Sequence, residues 1–210
     1  MSINTKDYFL KNLVRVLEDN DIEAYVVGGA VRSKLLEAPI KDIDIATPLS
    51  PAELLSLLPD EAKLIDSAQA YPVISFLGFE IASFRSDGKN RGDAQGIKLH
   101  ATMKEDAMRR DFTMNALYVK LDWNNIDFFT NSEWESDFQD YVIDPTEQGL
   151  HDINNHLIRL IGNPEERLIE DPLRALRAYR FATQLPWGFS LEEKTKIAVD
   201  NVLRNVRMKV

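Results

Sequence analysis

Asp42 and Asp44, separated by one residue in KDIDIAT (residues 41–47), are the pair whose type and spacing most directly suggest chemistry. In an extended segment side chains repeat every second residue, so Asp42, Asp44 and Ala46 share one face and Ile43 and Ile45 the other. Two like charges held side by side repel unless a cation lies between them. Hard carboxylate oxygens suit Mg²⁺, which binds through one or two carboxylates together with substrate phosphates. A place for those phosphates lies just upstream. Residues 24–27 read as a strand, Gly28-Gly29 as a tight turn, and residues 30–37 as a short helix halted before Pro39. The glycines let backbone N–H groups approach an anion, the helix start adds partial positive charge, and Arg32 offers a fork of donors. D-x-D on a half-exposed strand is commonplace by itself, and so is Gly-Gly before a helix. Joined between residues 24 and 48, they read as a site for a metal and a nucleoside triphosphate.

The elements that must position this pair are those of an ordinary globular chain. With 210 residues, 44% of them hydrophobic and 28% charged, it can bury a core as one domain or one and a part. No stretch approaches a membrane span, the N-terminus lacks an apolar signal core, and the absence of cysteine excludes disulfides and thiolate metal sites, so a cytoplasmic protein is expected. The net charge of −9 argues against a broad nucleic-acid surface. Two answers keep such a substrate open: acids gathered at a metal site count against the total, and the part that holds nucleic acid can lie elsewhere, in a partner chain or a homo-oligomer.

Around the acidic strand, residues 5–19 read as an amphipathic helix with Phe9, Leu13, Val16 and Leu17 inward. Ser50 to Glu53 and Thr102 to Glu105 are capping boxes opening short helices. Residues 63–66, 72–77 and 79–84 read as strands of a mixed sheet, and residues 86–98 as a charged loop. Residues 124–140, NNIDFFTNSEWESDFQD, are acidic and aromatic at once, either an enlarged hairpin or a patch for a partner. Residues 157–161 read as a strand, and 187–201 as a final helix with a third capping box from Ser190 to Glu193.

GGAVRS followed by KDIDIAT resembles the first motif of the class II tRNA nucleotidyltransferases (CCA-adding enzymes) and bacterial poly(A) polymerases, members of the polymerase-β-like nucleotidyltransferase superfamily. Ser33 stands where that motif usually has an acid. The strand FEIASFR resembles the family's E-V-x-T-F-R, which implies that Glu80 joins the acidic cluster; from the residues alone it is equally an edge-strand acid. RRDFTMNALYV resembles the R-R-D-F-T-x-N-A motif lying against the nucleotide sugar. This implies phosphate contacts from Arg109 and Arg110 and ribose contacts from Asp111 and Asn115, although adjacent arginines alone are more often a solvated pair. Asp144-Pro145 with Gly149 and Asp152 resembles the hinge element D-P-x-G-G-x-x-D-L, with Gln148 replacing one glycine. Gln69-Ala70-Tyr71-Pro72 stands where a histidine and glycine are usual, and the G-R-R-F-R-L-x-H-V run of many poly(A) polymerases is missing.

In EDPLRALRAYRFA, Asp171, Arg174 and Arg177 fall along one helix face, a pattern that alone suits a salt-bridged surface. The segment is similar to the family's E-D-x-x-R motif, which implies base recognition without a template by Asp171 and Arg174, supported by Arg177. An aspartate accepting from an exocyclic amine and an arginine donating to a ring nitrogen serve both cytosine and adenine. Uracil and guanine present a carbonyl instead, costing about 1–3 kcal/mol per unsatisfied buried group.

The resemblance implies an α/β (α+β) head over residues 1–145, a mixed sheet with flanking helices, and the start of an all-helical neck over 146–210. It implies transfer of CMP or AMP from CTP or ATP to the 3′ end of RNA, chiefly tRNA, by a two-Mg²⁺ mechanism with Asp42 and Asp44 as metal ligands and Glu80 beside them. Poly(A) addition, CC-only or A-only addition, and a non-catalytic nucleotide-binding module are the alternatives.

Overall fold

The computed structural model describes residues 5–65, 72–86, 98–130 and 137–207. Most of the proposed charged loop (87–97) and Gln69-Ala70-Tyr71 lie outside those residues. No helix among the described residues is long and apolar enough to cross a membrane.

Two strands that the sequence places next to each other set the frame. Strand β1 (Tyr25–Val27) ends at Gly28, helix α2 (Gly29–Leu35) turns the chain back, and β2 (Asp44–Thr47) pairs antiparallel with β1, Val27 opposite Asp44. Beyond α3 (Pro51–Leu57) come β3 (Lys63–Ile65), β4 (Val73–Phe76) and β5 (Phe79–Ser83), and later β8 (Tyr118–Lys120) and β9 (Val142–Ile143) complete a seven-stranded sheet. Its order is β3-β4-β5-β2-β1-β8-β9. The β2–β5 pair is parallel and its neighbours are antiparallel, the mixed sheet expected.

Alternation along these strands creates two unequal faces. Val26, Ile45, Ile74, Ile81 and Val119 enter the main core, which α1 (Thr5–Asp19) covers with Leu10, Leu13, Val14 and Leu17. The helix is thus rotated from the expected stripe: Leu10 and Val14 are buried, while Phe9 is exposed. On the other face Tyr25, Val27, Ala46, Phe84 and Tyr118 form a smaller cluster. Asp44 shares the parity of Ala46 but lies where that cluster ends, so the residue as a whole is exposed while its carboxylate is partly shielded from water.

Several expected boundaries move for identifiable reasons. Strand β2 begins at Asp44 rather than residue 41, because its partner β1 stops at the Gly28 turn. Asp42 therefore precedes the regular strand. The 157–161 strand shortens to β10 (Leu157–Ile158), with Leu160 bridging Phe112 alone. The last helix, α9, spans Glu193–Arg207, because Ser190 is drawn into β11 (Ser190–Leu191) beside β10. Glu192 replaces the expected Ser190 box, its Oε2 accepting from the Thr195 N–H at 3.0 Å. In the acidic-aromatic segment, Phe128, Phe129 and Phe138 are core residues packed edge to face. It is an enlarged connection between the paired β8 and β9, holding α5 (Asp127–Thr130). Residues 131–136 lie outside the described set.

The capping boxes at Ser50 and Thr102 form as the sequence predicts, the latter opening α4 (Met103–Arg109) beside the short β6 (Arg85–Ser86) and β7 (Lys98–Leu99) pair. Downstream the chain turns helical: α6 (Gly149–Asn154), α7 (Pro164–Glu170), α8 (Leu173–Gln184) and α9. Helix α6 lies directly on the 3₁₀ turn at Thr113–Asn115. A Cβ at Gly149 would sit 2.6 Å from Leu117 Cδ2 and 2.7 Å from the Thr113 carbonyl oxygen, so only glycine fits. Gln148 is exposed at the start of α6, where a glycine is not required for packing. The fully buried Asp152 fastens the junction, accepting from the Thr113 hydroxyl at 2.6 Å and Arg159 Nε at 2.9 Å.

Candidate active site

A cavity of about 780 Å³ opens where α2, the start of β2 and α8 meet. Its floor is the Gly28-Gly29 turn. Gly28 adopts φ +73, the left-handed region that L side chains resist, and its N–H is bonded to the Leu117 carbonyl at 3.1 Å. Asp42, Asp44 and Lys41 line one side, Arg32 and Ser33 project from α2, and Arg110 and Asn115 come from the segment around the 3₁₀ turn. Seven residues singled out from sequence therefore meet in one cavity: Gly28, Gly29, Arg32, Asp42, Asp44, Arg110 and Asn115.

Glu80 is beside this group rather than in the lining. It pairs with Asp44 across the parallel β2–β5 register, and strand parity points both carboxylates to the same face. Loss of water raises the Asp44 carboxyl above its usual range; the Arg110 charge opposes this, and Asp42 and Glu80 add to it. Asp44 thus feels two acids and one arginine. Among the described residues no three acidic or histidine side chains gather closely enough to cage a metal by themselves. Two carboxylates facing a phosphate site are nonetheless the donor set that Mg²⁺ uses, and the mutual repulsion at Asp44 is what a bound cation relieves.

The cationic side of the cavity contains residues the sequence reading passed over. Arg32 donates to Asn115 Oδ1 and stacks on Phe181, its Cζ 5.0 Å from the ring centroid. Arg180 stacks on the same ring at 5.2 Å. Burial first, and the Arg180 charge second, push the Arg32 guanidinium down to about 10. Arg32 Nε is buried with no hydrogen-bond partner in the described structure. Two guanidiniums that share the Phe181 ring and both line the cavity concentrate positive charge beside the glycine turn. Arg180 extends the Asp171, Arg174, Arg177 series by three more residues, and that continued periodicity was the signal available. Replacing Arg180 by alanine is expected to weaken nucleotide binding about tenfold or more, the worth of one charge-assisted hydrogen bond. Titration calorimetry with CTP and Mg²⁺ checks this; unchanged affinity would separate Arg180 from the phosphate site.

The other predicted residues serve a different arrangement. Arg109 turns away from the cavity, bonding Asp106 Oδ1 at 2.8 Å and the Arg85 carbonyl at 3.1 Å. Asp106 is fully buried and also holds Arg110, through Oδ2 at 2.8 Å from Nη2, and the Tyr118 hydroxyl at 2.6 Å. Sequence reading missed Asp106, although its i, i+3 and i, i+4 spacing to the two arginines was visible. Asp111 accepts from Arg174 Nε at 2.6 Å and Arg177 Nε at 2.8 Å, and Arg177 Nη2 reaches Asp171 at 2.7 Å. Burial opposes the charge on Asp111, but its two arginines prevail and hold its carboxyl below the usual range. Arg174 is fully buried, bonded additionally to Glu170 at 2.9 Å, and its Nη2 has no partner in the described structure. Arg167 Nη2 ties α7 to the Arg109 and Arg110 carbonyls at 2.6 and 2.9 Å, which keeps this network in place beside the cavity.

A glycine turn and paired acids at one end of a mixed sheet, with an arginine-rich helix packed alongside, define the chain as a nucleotidyltransferase-type head. It belongs to the family described as the poly A polymerase head domain, which matches residues 24–159. Over 201 residues it is 36% identical to the CCA-adding enzyme of Lactobacillus helveticus, covering 92% of this chain and 45% of that protein. Among solved structures, the Bacillus stearothermophilus CCA-adding enzyme in complex with CTP is 32% identical with TM-score 0.67, over 94% of this chain and 43% of the other. A tRNA nucleotidyltransferase complexed with a primer tRNA and an incoming ATP analog is 26% identical with TM-score 0.65, over 94% and 51%. The chain thus spans less than half the length of the curated relatives it matches.

Proposed function

We propose that this chain is the catalytic head and first neck helices of a template-independent nucleotidyltransferase that adds CMP and AMP, from CTP and ATP, to the 3′ end of tRNA. The observation that carries the reading is the single cavity in which Asp42 and Asp44 face the Gly28-Gly29 turn, Arg32 and Arg180. The similarity to CCA-adding enzymes supports tRNA as acceptor. The division into a head, residues 1–145, and a neck from 146 onward is part of the same reading, as is a cytoplasmic location.

In the reaction the acceptor 3′-oxygen bonds to the α-phosphorus, the bond to the β-phosphate oxygen breaks, and pyrophosphate leaves. Arg32 and Arg180 balance the triphosphate charge, and the Gly29 N–H at the start of α2 helps to orient it, the Gly28 N–H being held by the Leu117 carbonyl. Asp42 and Asp44 are the residues that would hold Mg²⁺, with Glu80 sustaining the negative field around them. When bound, the metal neutralises phosphoryl oxygens and makes the attacking hydroxyl more acidic. Asn115, which lines the cavity and is bonded to Arg32, is assigned to a ribose hydroxyl. Asp111 contributes through the arginines it holds. Base selection by Asp171 and Arg174, with Arg177 as support, rests on the likeness of this segment to the family motif, because these residues lie outside the cavity lining and Arg174 is fully buried against Asp111 and Glu170.

The family description favours poly(A) addition as the second reading. Labelled CTP and ATP, separately and together with Mg²⁺, offered to tRNA transcripts ending before CCA, after C and after CC, distinguish the two. Addition that stops at CCA supports the proposal. Unlimited AMP addition would replace it with the polymerase reading, and CTP binding without turnover on any RNA would reduce the chain to a nucleotide-binding module.

A further inference from the structure

The residue next in the chain to the cavity lining is an exposed aromatic that neither the core nor the reaction above uses. One wall is Ala38 and Pro39, after α2; the facing wall is Gln184, Leu185 and Pro186, at the end of α8. Trp187 follows directly. It adopts φ +69 and Gly188 φ +73, consecutive left-handed residues that reverse the chain sharply. The reversal brings the indole over the end of α2, with Nε1 3.5 Å from the Leu36 carbonyl oxygen. A bulky side chain in this backbone region persists only where its surroundings require it. Yet the indole is not there to fill a core, since it is 66% exposed.

We propose that Trp187 is a stacking platform for an unpaired base of the acceptor RNA, holding the strand whose 3′-hydroxyl is delivered to the acids. This deepens the transfer reading above and rests on it. The chain carries a net charge of −9, which argues against a general phosphate-binding surface for RNA. Single strands are held instead where a few cations meet an aromatic face, because every base has a π surface to stack. The parts of that combination are close here: Lys41 and Arg180 line the cavity, and the exposed Trp187 follows Pro186 of its lining and touches Leu36, two residues before Ala38 of the same lining. The Leu36 contact fixes one edge of the ring and leaves most of its surface open.

Trp123 and Trp134 are the other two tryptophans, and replacing both by phenylalanine leaves Trp187 as the only indole. In that background a short single-stranded RNA ending in CC is expected to quench the emission. Trp187→Leu is expected to raise KM for the acceptor about tenfold, within the worth of one base stack, while KM for CTP stays unchanged. Trp187→Phe, which keeps a stacking face but loses the N–H, should remain close to wild type. Equal weakening in the phenylalanine and leucine variants would assign the effect to the Leu36 contact and overturn the proposal. Absence of quenching overturns it whether or not transfer occurs. Failure of the transfer reading shows separately, as an intact chain that quenches with RNA but incorporates no nucleotide.

Discussion

Asp42→Ala is expected to reduce nucleotide incorporation about a thousandfold or more, corresponding to about 4 kcal/mol of lost transition-state stabilisation, while leaving the fold intact. The reason for the large effect is that Asp42 and Asp44 are the two carboxylates lining the cavity, so losing one halves the donor set proposed for Mg²⁺. The reason the fold survives is equally local. Asp42 is exposed and precedes the regular strand, so no core contact or sheet hydrogen bond depends on it. Removing one of the acids that raise the Asp44 carboxyl also relieves repulsion, and stability should be unchanged or slightly higher. Single-turnover incorporation and thermal unfolding, measured on the same preparation, separate these effects. Activity within tenfold of wild type would sink the metal assignment.

The second large effect is on stability. Asp106→Ala should cost about 3–5 kcal/mol and lower the unfolding midpoint by about 10 °C, because it leaves two arginines without their shared carboxylate. Asp106 lies at 1% side-chain exposure, with Arg109 and Arg110 at 16% and 20%, so water cannot replace the lost partner fully. Burial alone would raise the Asp106 carboxyl, but the Arg110 and Arg109 charges and the Tyr118 hydroxyl overcome it and hold it below the usual range. A carboxyl depressed in the folded state binds fewer protons there than in the unfolded chain. Its stabilisation is therefore complete above the ordinary carboxylate range and is lost as pH falls through the depressed value. Asp106→Asn should flatten that part of the acid-side stability curve. Because Arg110 lines the cavity, both variants should also weaken CTP binding. A melting temperature and pH profile matching wild type would show that the arginines find other partners.

Much of this site was legible because its chemistry follows from local rules. The Gly28-Gly29 turn, Arg32 one helical turn later and the alternating acids are all within residues 24–48, where strand and helix periods alone place side chains. Glu80 was harder: no local rule pairs it with Asp44, and only the parallel β2–β5 register does so. Boundaries failed where a partner strand decided them, as at β2 and β11. The aromatic run at 124–140 left two readings open, and the β8–β9 pairing favours the enlarged hairpin. Hydrophobic residues amid acids look like an exposed patch until the β8–β9 connection folds Phe128 and Phe138 inward.

The sequence by itself suggested the class of chemistry, since a carboxylate pair two residues apart beside a glycine turn suits a cation and phosphates, and its motifs carried the family. It also determined the mixed sheet, through strand patterns short enough to be read one at a time. The tertiary structure alone decided which charged groups share a space. Arg109 and Arg110 are neighbours in the chain, yet only Arg110 lines the cavity, because the buried Asp106 takes one on each oxygen and divides them. Arg180 reaches Arg32 over 148 positions of chain through the face of Phe181. Such contacts depend on how helices pack against the sheet, and Coulomb's law acts through that distance rather than along the sequence.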